Sequence, residues 1–190
     1  MRWLSLYARS RRVPASLTAV ISAALGWAFA GDGSDGPSDP RLPLLLLGAG
    51  VIAASVGLGG QDLALDRTAA IRWRPRRAAH VLLAGVTVGT VLMTAQAASG
   101  QTVSAGLVVR GCAGLMGLAA LGAVVLGGQY AWSLPFAWLA FALFAPPATS
   151  VPMQVATWML LPPDTAAGTW TALALWLLGT SAYAVAGPKR

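Results

Sequence analysis

The chain has little charge and few of the side chains on which enzyme chemistry depends. Only 10% of its 190 residues are charged, and they include no glutamate. Soluble domains carry about 25% charged residues. There is one histidine and one cysteine, which excludes an internal disulfide and a cysteine-based zinc site. The sequence is 56% hydrophobic with a mean hydropathy of +0.66. These values predict an integral membrane protein.

Catalytic, metal and nucleic-acid functions find little support. Ser181 is not predicted to be the nucleophile of a serine protease. The single histidine, His80, is expected at the membrane surface, whereas the two side chains of a Ser–His dyad must lie close enough to form a hydrogen bond. Asp62 and Asp66 are four residues apart, but no further ligands accompany them, so we predict no metal site. The net charge of +7 lies at the ends of apolar runs, which favours anionic lipid over nucleic acid.

Apolar runs divide the chain into membrane spans. A helix needs about 17–25 residues to cross the hydrocarbon. We predict an all-α membrane domain over residues 13–190 with six transmembrane helices. Small residues spaced four apart, including Gly85/Gly89 and Ala113/Gly117, predict close helix packing. The six spans are expected at residues 13–30, 42–60, 81–99, 103–126, 134–147 and 169–186.

The charged segment at residues 61–80 fixes the predicted topology. It carries five arginines and two aspartates, and it must therefore lie in water. Its arginine excess predicts the cytoplasmic side, and both basic termini then lie on that side as well. We expect an N-in/C-in, multi-pass protein of a bacterial cytoplasmic membrane. Between spans five and six, two proline pairs bracket a short apolar stretch, which predicts half-helices that enter the outer leaflet.

Residues 1–12 have the pattern of an amphipathic helix lying on the cytoplasmic membrane surface. The alternative is the basic region of a signal peptide, which the apolar run that follows imitates. In the helical interpretation, aromatic rings enter the interface and arginines contact lipid phosphates. The predicted interface residues are Trp3, Tyr7, Arg9, Arg11 and Arg12.

Acids come early in the cytoplasmic segment and bases come late, an order that favours a helix. Pro75 is expected to end this helix. The segment is either a solvated loop or a docking helix for a cytoplasmic protein. In the docking hypothesis the partner-binding residues are Asp62, Asp66, Arg67, Arg72, Trp73 and Arg74.

Arg110 interrupts the fourth apolar run and has two interpretations. If the helix begins near Val103, Arg110 lies about two turns deep and faces a polar path for an anionic group. If the helix begins near Gly111, Arg110 is an interfacial residue that reaches the headgroups.

The order of these predicted segments along the chain resembles that of the membrane subunits of ABC-2-type (type V) ABC transporters, of the small actinobacterial kind. In that family an amphipathic N-terminal helix precedes six spans. A helix between spans two and three contacts the ATPase subunit, and re-entrant helices join spans five and six. The resemblance is carried by residues 3–12, 62–74 and 146–163.

The resemblance implies a permease subunit that couples ATP hydrolysis by a partner to substrate movement. The partners would be an ABC ATPase subunit, a second copy or homologous membrane subunit, and the lipid bilayer. ATP and Mg²⁺ would bind to the ATPase, since this chain has no P-loop, cofactor motif or catalytic motif. The alternatives are a substrate-binding component of an energy-coupling-factor importer and a non-transport membrane anchor or sensor.

Overall fold

The computed structural model describes Ile21 and residues 41–59, 73–99 and 104–189. Every regular element in these ranges is helical, which confirms the predicted all-helical class there. The predicted helix at 1–12, the span at 13–30 and residues 61–72 of the cytoplasmic segment lie outside this description. The helices are α1 (Arg41–Ser55), α2 (Trp73–Ser99), α3 (Ala105–Val125), α4 (Ser133–Phe144), α5 (Val151–Ala156) and α6 (Ala166–Ala186). Short 3₁₀ turns cover Val56–Leu58, Gly128–Tyr130 and Trp158–Leu160.

Four of the described helices are long and apolar enough to cross a membrane. They are α1 with the turn that follows it, α2, α3 and α6, and they match the spans predicted at 42–60, 81–99, 103–126 and 169–186. Helix α4 has 12 residues and is therefore about 18 Å long. This is shorter than the hydrocarbon thickness of about 30 Å, so the helix found at the predicted 134–147 span does not cross by itself.

The prediction that Pro75 ends a helix is wrong. Helix α2 begins at Trp73 and continues through Pro75 to Ser99. A proline lacks the N–H that would bond the carbonyl four residues earlier, and for Pro75 that position lies outside the described residues. The last eight residues of the predicted cytoplasmic segment, 73–80, are therefore a helical extension of the third predicted span.

Helix α3 occupies the centre of the bundle. In the most apolar stretch of α3, 72% of the residues are buried, compared with 17% in the corresponding stretches of α2 and α6. Helices α3 and α6 run parallel, since Arg110 near the start of α3 contacts residues 161–163 before α6. At the other end, Ala123 accepts a hydrogen bond from Lys189, just after α6.

Helices α3 and α6 cross at two glycines whose backbones touch. A Cβ added to Gly117 would collide with the backbone of Leu175 and Trp176, and one added to Gly179 would lie 2.8 Å from the Gly117 Cα. The spacing of Ala113 and Gly117 predicts such close packing at Gly117. Without a hydrophobic driving force between helices inside lipid, such contact packing is a principal source of helix association.

Residues 145–165, here called the returning segment, join α4 to α6 by entering the bundle. Trp138 in α4 donates its indole N–H to the carbonyl of Ala156 at the end of α5, at 2.8 Å. The ring of Trp158 is fully buried and packs on Gly114, nine residues into α3. At 1.5 Å per residue this is a depth of about 13 Å along α3. The segment consists of a short helix and a 3₁₀ turn, in agreement with the predicted broken helices.

Candidate functional site

One end of the bundle, here called the basic end, gathers cationic side chains from two separate parts of the chain. Arg74 and Arg76 in the first turn of α2 are exposed, and Arg77 is half-buried. Lys189, which follows α6, is also exposed. The only acid among the described residues, Asp164, precedes α6 and so lies at the opposite end. Four of the described cations therefore lie at the basic end, whereas the opposite end has Arg41 and Arg110 together with Asp164.

A set of buried backbone contacts ties the basic end together. The Tyr183 hydroxyl, buried in α6, donates a 2.7 Å hydrogen bond to the carbonyl of Leu58, 125 residues earlier. Lys189 N–H donates to the Ala123 carbonyl at 2.9 Å, and the Lys189 carbonyl accepts from Gly128 at 3.3 Å. These bonds join the ends of α1, α3 and α6, and we call this group the basal junction.

Arg77 completes the basal junction by covering the C-terminus of α6. The C-cap, Gly187, has φ of 71°, a left-handed conformation that favours glycine. A Cβ there would also lie 2.6 Å from Arg77 Nη1. The guanidinium therefore lies directly against the C-cap of α6, where a positive charge is favoured by the helix dipole.

Only part of the predicted partner-binding set can be located. Trp73 is the first residue of α2, and Arg74 follows it as an exposed side chain at the basic end. Asp62, Asp66, Arg67 and Arg72 lie outside the described residues, as do the five predicted interface residues of the N-terminal segment. Gly59, which precedes the undescribed stretch, lies against the backbone of Gly128, whose added Cβ would be 2.7 Å from the Gly59 Cα.

Sequence reasoning missed the basal junction. Gly187-Pro188 after an apolar helix is a recognisable helix-ending signal. That signal points to Gly187 but does not reveal that Arg77 covers it. The bond between Tyr183 and a main-chain carbonyl has no sequence signature, because any residue provides such an acceptor.

Arg110 is held at the opposite end, and its surroundings differ from the interfacial geometry considered above. It is the sixth residue of α3 and only 6% exposed. Its Nη1 donates to Pro162 at 2.7 Å and to Pro163 at 3.4 Å, and its Nη2 donates to Leu161. The guanidinium thus turns into the protein and fastens the returning segment. A role in a substrate path stays a prediction.

A lateral groove of about 580 Å³ lies between α2 and α3, with Trp176 of α6 at its side. Its lining is almost entirely apolar. The polar exceptions include Thr94, whose hydroxyl donates to the Val91 carbonyl of its own helix at 2.9 Å. Among the residues placed by the structure, no group of three His, Cys, Asp or Glu side chains could hold a metal ion.

Comparisons with known proteins give no relative from which to assign a family. No protein-family model matches the chain. Neither the curated proteins nor the solved structures provide a match. Function must therefore be inferred from the residues and their geometry.

Proposed function

We propose that this chain is the transmembrane permease subunit of an ABC transporter in a bacterial cytoplasmic membrane. It would couple ATP hydrolysis by a partner subunit to movement of a substrate. The catalytic step belongs to the partner, which binds ATP and Mg²⁺. The functional unit contains two such membrane subunits, either two copies or one copy and a homologue.

The observation that carries the proposal is the basal junction. The structure describes the chain as far as Gly59 and again from Trp73, the first residue of α2. Gly59 lies against Gly128, and Arg77 lies against Gly187. A displacement of the predicted cytoplasmic segment would therefore be applied at once to the bases of α3 and α6. This is the mechanical connection that a coupling segment requires.

The direction of the helices supports six spans with both termini on the cytoplasmic side. Helices α3 and α6 run parallel, so the chain between them must return across the bundle. Helix α4 and the returning segment provide that crossing together, although α4 alone is too short. With the predicted span at 13–30, the crossings number six, and the basic end faces the cytoplasm in agreement with its arginine excess.

The two alternatives make different demands on the structure. A vitamin-binding importer component would need a solute cavity with polar groups near the outer face. The α2–α3 groove, lined almost wholly by apolar side chains, does not meet that demand. An anchor or sensor would need the cytoplasmic segment but no linkage between it and the transmembrane core.

The test is purification of the tagged chain from its native host in a mild detergent, followed by an ATPase assay of the eluate. Wild type is compared with Asp66→Arg and with the double variant Arg72→Glu/Arg74→Glu. We expect an ATP-binding subunit to co-purify with wild type and to be lost from both variants, because their charges are reversed at the proposed contact.

The matched control is Arg41→Glu, which reverses a charge at the opposite end of the bundle and should keep the partner. Elution of wild type alone, without ATPase activity, would show that the proposal is wrong. Loss of the partner from Arg41→Glu as well would show that the effect is not specific to the cytoplasmic segment.

A further inference from the structure

The lateral groove between α2 and α3 is long and narrow. Its lining on α2 extends from Val81 to Ala97, which is about 24 Å at 1.5 Å per residue. A volume of about 580 Å³ spread over that length gives a mean cross-section of about 24 Å². An α-helix with its side chains is about 10–12 Å in diameter and has a cross-section of about 80–110 Å². The groove is therefore too narrow to enclose a helix, whereas its width of about 5 Å suits one hydrocarbon chain, given carbon contact distances of about 3.5–4.0 Å.

The lining of the groove accepts apolar groups and offers almost nothing to polar ones. Cys112 and Met116 of α3 are buried and form its floor, while Val86 of α2 and Val109 of α3 are exposed at its rim. The hydroxyl of Thr94 donates to a carbonyl of its own helix. Burying a polar group without a hydrogen-bond partner is costly, so a ligand in this groove must carry its polar groups outside it.

The groove begins close to the arginines of the basic end. Arg74 is exposed, and two turns of α2 bring it to within about 20° of Val81 and of Gly85 around the helix axis. Both of these residues line the groove. Charges are costly inside hydrocarbon, so the hydrocarbon edge lies between Arg77 and Val81. Arg74 is therefore about 5–10 Å beyond that edge, and the headgroup layer extends about 5–8 Å beyond it.

The other two arginines of α2 lie away from the groove. Arg76 is nine residues before Gly85, which places it on the opposite side of the helix, about 180° around the axis. Arg77 lies against Gly187, the C-cap of α6. Of the three arginines in α2, Arg74 is the one that combines exposure with the groove side of the helix.

We propose that the lateral groove and Arg74 form a binding site for an anionic phospholipid of the leaflet at the basic end. One acyl chain lies in the groove, and the lipid phosphate contacts the Arg74 guanidinium, whose paired N–H groups suit phosphate oxygens. Basic residues beside membrane helices attract anionic lipids in general, and the groove adds a fixed place for the chain. The site goes beyond the proposed function, because it requires neither an ATPase subunit nor a transported substrate.

The test uses the full chain in phosphatidylcholine nanodiscs that contain phosphatidylglycerol with a diazirine in one acyl chain. Light cross-links this chain to the residues that it touches, and mass spectrometry of the digested protein locates them. We expect stronger labelling of Cys112 and Val86 in the groove than of Leu83, which is exposed on α2 outside it. Diazirine phosphatidylcholine at the same mole fraction should label the groove about fivefold less, since one arginine near the membrane surface contributes about that factor.

The first pair of variants tests the headgroup contact. Arg74→Gln should lower groove labelling by phosphatidylglycerol about fivefold, to the level of phosphatidylcholine. The matched control is Arg76→Gln, which removes an exposed arginine from the same turn of α2 but from the other side of the helix. Its labelling should equal that of wild type. Equal labelling of the two variants would overturn the proposal.

The second pair of variants tests the place of the acyl chain. Val86→Trp puts a large ring at the rim of the groove, and Leu83→Trp puts the same ring on α2 outside it. The two native side chains are 62% and 65% exposed, so the changes are matched in burial. Val86→Trp should remove most of the labelling of Cys112, whereas Leu83→Trp should leave it unchanged. Unchanged labelling of Cys112 in both variants would refute a chain in the groove.

Two results with wild type would also overturn the proposal. If another segment of this chain or a second copy covers the groove, neither lipid will label Cys112. If the groove has no preference for an anionic headgroup, the two lipids will label it equally. Because the nanodiscs contain this chain alone, lipid labelling is read whether or not an ATPase subunit co-purifies in the test of the proposed function.

Discussion

Replacing Gly179 with alanine should separate the two helices that hold the bundle together. The new Cβ would lie 2.8 Å from the Gly117 Cα and closer still to the Gly117 carbonyl. Ordinary carbon contacts begin at about 3.5 Å, so α6 must move by at least about 0.7 Å. A radial gap of 0.5–1 Å forfeits about a quarter to a half of each contact's dispersion energy.

We expect Gly179→Ala to lower the free energy of unfolding by about 1–3 kcal/mol, the usual cost of overpacking. The measurement is reversible unfolding in mixed micelles titrated with a denaturing detergent. The double variant Gly117→Ala/Gly179→Ala should cost less than the sum of the single changes, because one separation of the helices relieves both clashes.

The control is Gly89→Ala, also within a membrane helix. Its Cβ would lie 3.4 Å from Cys112 Sγ, an ordinary contact. Alanine is favoured over glycine in helix interiors by about 0.5–1 kcal/mol, so this variant should be neutral or slightly more stable. Equal destabilisation by Gly89→Ala and Gly179→Ala would refute the reasoning from backbone contact.

Three further predictions test other parts of the structure. Tyr183→Phe leaves the Leu58 carbonyl at the basal junction without its donor and should cost about 1–3 kcal/mol of unfolding free energy; an unchanged detergent unfolding midpoint would contradict that hydrogen bond. Gly187→Ala forces a left-handed conformation on alanine and pushes on Arg77, at a cost of about 1–3 kcal/mol. In an Arg77→Ala background the cost should fall, as thermal unfolding can show, and an identical cost in both backgrounds would rule out the guanidinium contact. Cys112, which is 6% exposed, should react with a maleimide far more slowly than a cysteine placed on the lipid-facing side of the same helix, and comparable rates would contradict its burial.

The helical class and most spans could be predicted because long apolar runs have few alternatives to a membrane helix. The span predicted at 103–126 is found as Ala105–Val125, and that at 169–186 as Ala166–Ala186. In the sequence Pro75 predicts a helix end, whereas in the structure it lies within α2. Nothing in the local sequence distinguishes these two uses of proline at that position.

The contacts at the two ends of the bundle could not be predicted, because they depend on main-chain partners. Arg110 stood out in the sequence as a charge in an apolar run. Its acceptors are main-chain carbonyls about 50 residues away. Every residue has such a carbonyl, so no residue type marks the acceptor in the sequence. The contact between Gly117 and Gly179 could not be predicted either, because it depends on α3 and α6 running parallel with these two glycines at the same height in the bundle.

The long separation between Arg110 and its acceptors has a consequence for biosynthesis. Leu161 follows Arg110 by 51 residues. At about 5–20 residues per second, the ribosome takes about 3–10 s to supply the carbonyls that hold the guanidinium. During that interval α3 has an arginine but lacks the returning segment and α6. Until the carbonyls of the returning segment are made, the charge of Arg110 must therefore be solvated by headgroups, water or the insertion machinery.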